Sequence, residues 1–170
     1  MIELYAYDFD KTLIPYDSFR RYLWYLCKYK PITVLSLILL RKLRLLTSCS
    51  LKQRITRLVD SSYYLTLKTK LFSEELKKDI EWPENKGVTL IITASPLVYM
   101  KYIVDDSMYQ LLCSDTINNN YVEMYSNTKS TFLRKHYPQT KYQYTYAMSD
   151  SKSDMCWMKE FEHFEIIQKK

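Results

Sequence analysis

Glycine is almost missing. At the ordinary usage of about 7%, a chain of this length would carry roughly a dozen glycines, yet these 170 residues hold a single one, Gly87. That excludes every motif built on several glycines: the dinucleotide-binding fingerprint, the Walker A phosphate loop and the lipase-type nucleophile elbow. Phosphate chemistry on this chain must use side chains and helix ends. Closely spaced cysteines are missing too. Cys27, Cys49, Cys113 and Cys156 lie far apart with no C-x-x-C spacing, and they read as reduced, mostly buried thiols. The N-terminal stretch MIELYAYDFD lacks a basic segment followed by an apolar run, so export is not expected and the reading is cytoplasmic. The longest mostly apolar run, Ile32 to Leu40, falls well short of the roughly 20 residues that span a bilayer and reads as a buried helix. His136 and His163 have no ligand spacing with each other or with cysteine, which favours structural or surface roles.

What is present is globular in composition, with 47% hydrophobic and 26% charged residues. The length suits one domain with a sizeable core and room for an insertion. Charge is uneven. Residues 15–86 hold 15 Lys or Arg against 7 Asp or Glu, while the rest holds 10 against 12. A basic insertion therefore sits in a slightly acidic framework, and basic surface favours anionic partners without choosing among them.

Residues 2–7 read as a strand whose carboxyl end carries Asp8 and Asp10. From Asp17 the spacing turns helical: Phe19, Tyr22, Leu23, Leu26 and Cys27 share one face, with Asp17 or Ser18 as N-cap. Pro31 breaks the chain, a second helix runs from Ile32 to about Leu46, and Ser48 or Ser50 precedes a third with Lys52, Arg54 and Arg57 on its exposed face. A fourth covers Leu71 to Ile80 and ends at Trp82 and Pro83. After Gly87 strands alternate with helices. Val88 to Ile92 is a buried strand, and Ser95-Pro96 reads as a capped helix start. A strand near Gln110 to Cys113, a hairpin around Asn118 to Asn120, a helix from Thr128 to His136 and a strand from Tyr144 to Met148 follow. A short helix from Ser151 and a strand from Phe164 to Ile167 complete the chain. Tyr142, Tyr144 and Tyr146 read as one aromatic face of a strand. The expected fold is α/β: a Rossmann-like, mainly parallel sheet with helices on both faces and an inserted all-helical cap. Residues 1–14 and 85–170 would form the core and residues 15–84 the cap.

Open parallel sheets bind ligands in the crevice beyond the carboxyl ends of their strands. The polar residues predicted there are Asp8 and Asp10, Thr93, Lys129, and Asp150 with Asp154. Asp8 and Asp10, two residues apart on an extended chain, point to one side of the sheet. Two such carboxylates repel unless a proton or cation joins them, and Mg²⁺, a hard cation that keeps several waters, would resolve that repulsion. Asp150 offers a third carboxylate. Lys129 and the Thr93 hydroxyl suit the charge and oxygens of a phosphoryl group.

Asp8-Phe9-Asp10-Lys11-Thr12-Leu13 resembles the DxDxT first motif of the haloacid dehalogenase superfamily. Leu90-Ile91-Ile92-Thr93-Ala94-Ser95-Pro96 resembles its second motif, Lys129 its third, and Ser149-Asp150-Ser151-Lys152-Ser153-Asp154 its fourth. The helical insert after the first motif is similar to the C1 cap of the phosphoserine phosphatase-like subgroup. The resemblance implies a Mg²⁺-dependent phosphatase. Asp8 would attack phosphorus to form an aspartyl phosphate, and Asp10 would protonate the leaving oxygen and later activate water. Thr93 and Lys129 would bind the phosphoryl group. The Asp8 side chain, the Asp10 carbonyl and Asp150 would hold the metal, with Asp154 in or beside that shell. One departure stands out: Ser149 occupies a position where the family commonly has glycine, and a positive φ there would strain serine by about 1 kcal/mol.

The expected substrate is a small phosphorylated metabolite, because a cap that encloses the crevice excludes most macromolecules. Nucleic acid is not an expected partner, and neither is a membrane: Arg41, Lys42 and Arg44 read as the solvated end of a cap helix. The alternative is a non-catalytic basic module for nucleic acid or acidic membrane on a degenerate fold of the same superfamily. Binding of that kind would weaken steeply with salt.

Overall fold

The computed structural model describes residues 1–60 and 62–167. The chain runs β1 (Ile2–Tyr7), α1 (Ser18–Cys27), α2 (Pro31–Lys42), α3 (Ser48–Asp60), α4 (Tyr63–Leu76), β2 (Val88–Pro96), α5 (Leu97–Met100), β3 (Tyr109–Ile117), β4 (Asn120–Val122), α6 (Asn127–His136), β5 (Tyr142–Ser149), α7 (Met155–Met158) and β6 (His163–Ile166). The sheet has six strands in the order β4-β3-β2-β1-β5-β6. All neighbours pair in parallel except β3 and β4. Chain order runs outward on one side from β1 to β3 and restarts at β5 on the other, so the crevice beyond β1 and β5 is the topological switch point.

Strand alternation assigns the two faces. Leu4, Ala6, Leu90, Ile92 and Tyr144 pack against Leu133 of α6 and Trp157 and Met158 of α7. Tyr7 and Ile91 point the other way, into a core shared with α5 and the four helices that separate β1 from β2. Those helices return to the sheet where Glu81 donates its N–H to the Leu13 carbonyl at 2.9 Å. The lone glycine has a steric cause: a Cβ at Gly87 would lie 2.4 Å from the Glu3 carbonyl oxygen of the neighbouring strand. Elsewhere other residues take glycine's usual conformation. Asn118 and Asn119, at φ 50° and 65°, form the tight β3–β4 hairpin, a turn that needs positive φ at both central residues.

Several details depart from the sequence expectations. The fourth helix is Tyr63–Leu76, followed by one tight turn at Lys77–Asp79. The second helix is not buried all round, since only Val34 and Leu37 are buried within it. Lys52 is buried rather than exposed, drawn in by Glu123 at 2.6 Å. The three β5 tyrosines do not share a face. The pairing with β1 slips by one residue after Tyr144, which turns Tyr146 to the face opposite Tyr142 and Tyr144. The four thiols are free and half-buried rather than mostly buried.

Candidate active site

The first strand delivers Asp8 to the crevice, its N–H tied to the Met148 carbonyl of β5 at 2.9 Å. The chain then leaves the sheet in a tight turn, Phe9–Leu13, that places Lys11 at φ 57°. This turn is fixed to the loop after β5, because Asp150 donates its N–H to the Thr12 hydroxyl at 3.0 Å. A cavity of about 220 Å³ opens at this end of the sheet, and Asp8, Asp10, Thr93, Lys129, Asp150 and Asp154 all line it. The six residues singled out from sequence therefore meet in one place, although the chain separates the first from the last by more than a hundred residues.

Lys129 is the electrostatic centre. It is buried, and its Nζ lies 2.7 Å from Asp8 Oδ1 and 2.8 Å from Asp154 Oδ2, 5.5 Å from the centroid of the Trp157 ring. Burial works against its charge, but the two carboxylates outweigh that and raise its pKa. Burial also pushes the Asp8 carboxyl up, with Lys129 pulling the other way. Ser126, the residue before α6, sits at φ 48° and ψ −121°, so the helix that presents Lys129 begins from a strained residue.

Asp10 has different partners. Its Oδ1 accepts the Ser18 N–H at 2.6 Å, and its Oδ2 accepts the Ser95 hydroxyl at 2.5 Å. Ser95 Oγ is 3.0 Å from Ser18 Oγ, which is 2.8 Å from the Tyr99 hydroxyl. Burial raises the Asp10 pKa, with both serines opposing. Rotatable hydroxyls in such a chain can reverse direction, so the network can hold Asp10 either as carboxylate or as acid. Thr93 Oγ1 accepts the Ser95 N–H at 3.0 Å, which leaves its own proton free to donate.

Ser95 is not the helix cap expected from Ser95-Pro96. The strand continues through Pro96, α5 starts at Leu97, and no side chain caps it. Asp17 is the N-cap of α1, accepting the Arg20 N–H at 2.8 Å, and Ser18 is thereby free to serve Asp10. Sequence reasoning gave neither serine a role at the site. Ser149 is not among the residues with positive φ, so the strain expected there does not arise. Its buried hydroxyl donates to Asp154 Oδ2 at 2.8 Å and accepts the Ser151 N–H at 3.1 Å, contacts that a glycine lacks. Lys52, from α3, donates at 2.9 Å to the carbonyl of Ala94, a residue that lines the cavity.

Among the described residues, no three His, Cys, Asp or Glu side chains gather into a cage that could hold a metal unaided. Mg²⁺ does not need one, since it uses one or two carboxylates and keeps several waters. Asp8 and Asp150 both line the cavity, and burial raises the Asp150 pKa, with Lys11 opposing. Two carboxylates of raised pKa around a small polar cavity are a donor set that suits such a cation.

The sheet order, the switch-point crevice and the buried acid–lysine cluster define an α/β protein with a candidate active site at the carboxyl end of its sheet. The chain belongs to the haloacid dehalogenase-like hydrolase family, whose sequence profile matches residues 6–159. No curated protein sequence matches it. A protein of unknown function from Bordetella pertussis Tohama I is similar in structure, with a TM-score of 0.64 and 16% identity over 92% of this chain and 85% of that one. A HAD family hydrolase from Salmonella enterica serovar Typhi superimposes with a TM-score of 0.52 and 12% identity, over 94% of this chain and 60% of that one. A phosphoserine phosphohydrolase-like protein from Francisella tularensis gives 0.46 and 16% over 90% and 80%. For the first two, at these identities, the likeness is one of fold.

Proposed function

We propose that the protein is a Mg²⁺-dependent phosphatase that hydrolyses a small phosphomonoester through an aspartyl phosphate on Asp8. The observation that carries this reading is the pairing of Asp8 with Lys129 at 2.7 Å in the same cavity as a second, differently held acid, Asp10. An Asp8 oxygen attacks phosphorus, and the bond from phosphorus to the ester oxygen breaks. Asp10, whose pKa burial raises, gives its proton to that leaving oxygen. It then takes a proton from water as the water oxygen attacks the same phosphorus, which releases inorganic phosphate and restores Asp8. Lys129 balances the charge of Asp8 and the phosphoryl group, and the free proton of Thr93 is donated to a phosphoryl oxygen. The Asp8 and Asp150 carboxylates and the Asp10 carbonyl, with Asp154 in or beside that shell, would hold Mg²⁺, which would supply positive charge to offset that of the nucleophile and the phosphoryl group. Residues 15–84 act as the cap over this site.

The leaving group has room beside the catalytic cavity. A neighbouring groove of about 430 Å³ shares Lys11 and Asp17 with it and is lined by Tyr16, Arg20, Arg21 and Trp24. The test is turnover of a generic aryl phosphate with and without Mg²⁺. Activity should require the metal and fall by at least about a thousandfold in Asp8→Asn, because the nucleophile is lost. Full activity in that variant excludes Asp8 as nucleophile.

A further inference from the structure

We propose that the outer face of α2 docks on the surface of an anionic lipid bilayer. Ile32, Leu35 and Leu39 are 85%, 48% and 55% exposed, and Leu43 and Leu45 just beyond the helix are 59% and 68% exposed. At about 100° per residue, Ile32, Leu35, Leu39 and Leu43 fall within one narrow strip. Val34 and Leu37, on the opposite side, are buried in the core of the helical insert. The strip is an apolar surface that the fold itself leaves uncovered.

The charge around it decides the occupant. Between Ser18 and Val59 the chain has ten Lys or Arg and no Asp or Glu. Lys42 flanks the strip on the helix, and the exposed Arg44 follows just beyond the helix end, while Arg41 lies on the other side of the helix. Two copies of this face brought together would oppose like charges, with no carboxylate on that stretch to pair them. An anionic bilayer supplies hydrocarbon for the leucines and counter-charge for the basic side chains. A twelve-residue helix extends only about 18 Å, which fits a helix lying in the interface plane. No helix among the described residues is long and apolar enough to cross a membrane. The sequence expectation against membrane association placed the apolar run inside the cap, whereas the structure turns much of it outward.

The experiment is co-sedimentation of the full chain with vesicles of phosphatidylcholine mixed with phosphatidylserine, against vesicles of phosphatidylcholine alone. Binding to the mixed vesicles should be at least about ten-fold stronger and should weaken with added salt. Ile32→Ser/Leu35→Ser/Leu39→Ser should abolish it while leaving the thermal unfolding temperature unchanged. Lys42→Glu/Arg44→Glu, which does not touch the apolar strip, should weaken it by roughly five-fold or more per residue. The proposal fails if the wild-type chain stays in the supernatant, or if both variants sediment as it does. It fails equally if the wild-type protein is a dimer that the serine variant dissociates and neither binds vesicles, since the face then belongs to a second copy.

Discussion

At the carboxyl end of the sheet, Lys129 lies 2.7 Å from Asp8 and 2.8 Å from Asp154, with the three side chains only 3%, 10% and 4% exposed. On the helical insert, Arg21 and Asp79 meet at 3.2 Å with 46% and 42% of their side chains in solvent. The chemistry of the two contacts is the same, a cation beside a carboxylate. The surroundings differ, and that sets what each contact does. In the sheet crevice the charges have lost their hydration and depend on one another, so removing one leaves the others uncompensated. On the insert, water supports either charge alone, and the pair adds little. Between them stands Lys52 with Glu123, 2.6 Å apart and 11% and 22% exposed, where the insert touches the sheet. These three contacts form a series in burial, and breaking them in turn tests whether burial or pairing governs.

The largest loss is expected for Lys129→Met. It leaves Asp8 and Asp154 facing each other in a buried site, which should destabilise the fold by about 3–5 kcal/mol and lower the melting temperature by roughly 10 °C at neutral pH. The deficit should shrink in acid. Without the lysine, the buried Asp8 carboxyl is raised further above its unfolded value, so the penalty grows as pH climbs through the unfolded pKa and stops growing once pH passes the folded one. A deficit that is constant across pH would mean that lost packing, not stranded charge, is responsible. Lys52→Met comes next, at about 2 kcal/mol, since the partly exposed Glu123 can rehydrate while the Ala94 carbonyl keeps the Ser114 hydroxyl at 2.9 Å. Because Ala94 lines the proposed active-site cavity, KM for an aryl phosphate should rise in Lys52→Met even where the protein remains folded. A melting temperature as low as that of Lys129→Met would break the series.

Legibility from sequence follows the same division. The sheet was readable because its strands are short apolar runs ending in polar residues, and Asp8, Asp10, Thr93, Lys129, Asp150 and Asp154 line one cavity at those strand ends as expected. Periodicity fails where tertiary contacts override it. Ser95 carries the sequence signal of a helix cap, but the strand runs past it and Asp10 takes its hydroxyl. Lys52 has the spacing of a solvated face and is captured by a carboxylate 71 residues away. The bulge that separates Tyr144 from Tyr146 depends on pairing with β1, which nothing in the local alternation encodes. The apolar run of α2 is plain in the sequence, but composition alone does not reveal which of its sides lacks a partner.

The smallest effect is expected at the exposed end of the series. Asp79 accepts the Tyr16 hydroxyl at 2.5 Å as well as Arg21, and these contacts, the tyrosine first, hold its carboxyl below the usual range. A depressed carboxyl pKa adds stability above the unfolded pKa, and that contribution is lost as pH falls through the folded value. Asp79→Asn should therefore cost less than about 1 kcal/mol at neutral pH, and the difference from wild type should close as the solution is acidified. Salt at roughly physiological strength or above should narrow it further. Melting curves of the two proteins across pH and ionic strength measure both trends. A loss at neutral pH comparable with that of Lys129→Met, or one indifferent to salt, would show that this contact between the first turn of the insert and its return to the sheet is a structural clasp, and that exposure alone does not rank the ion pairs of this fold.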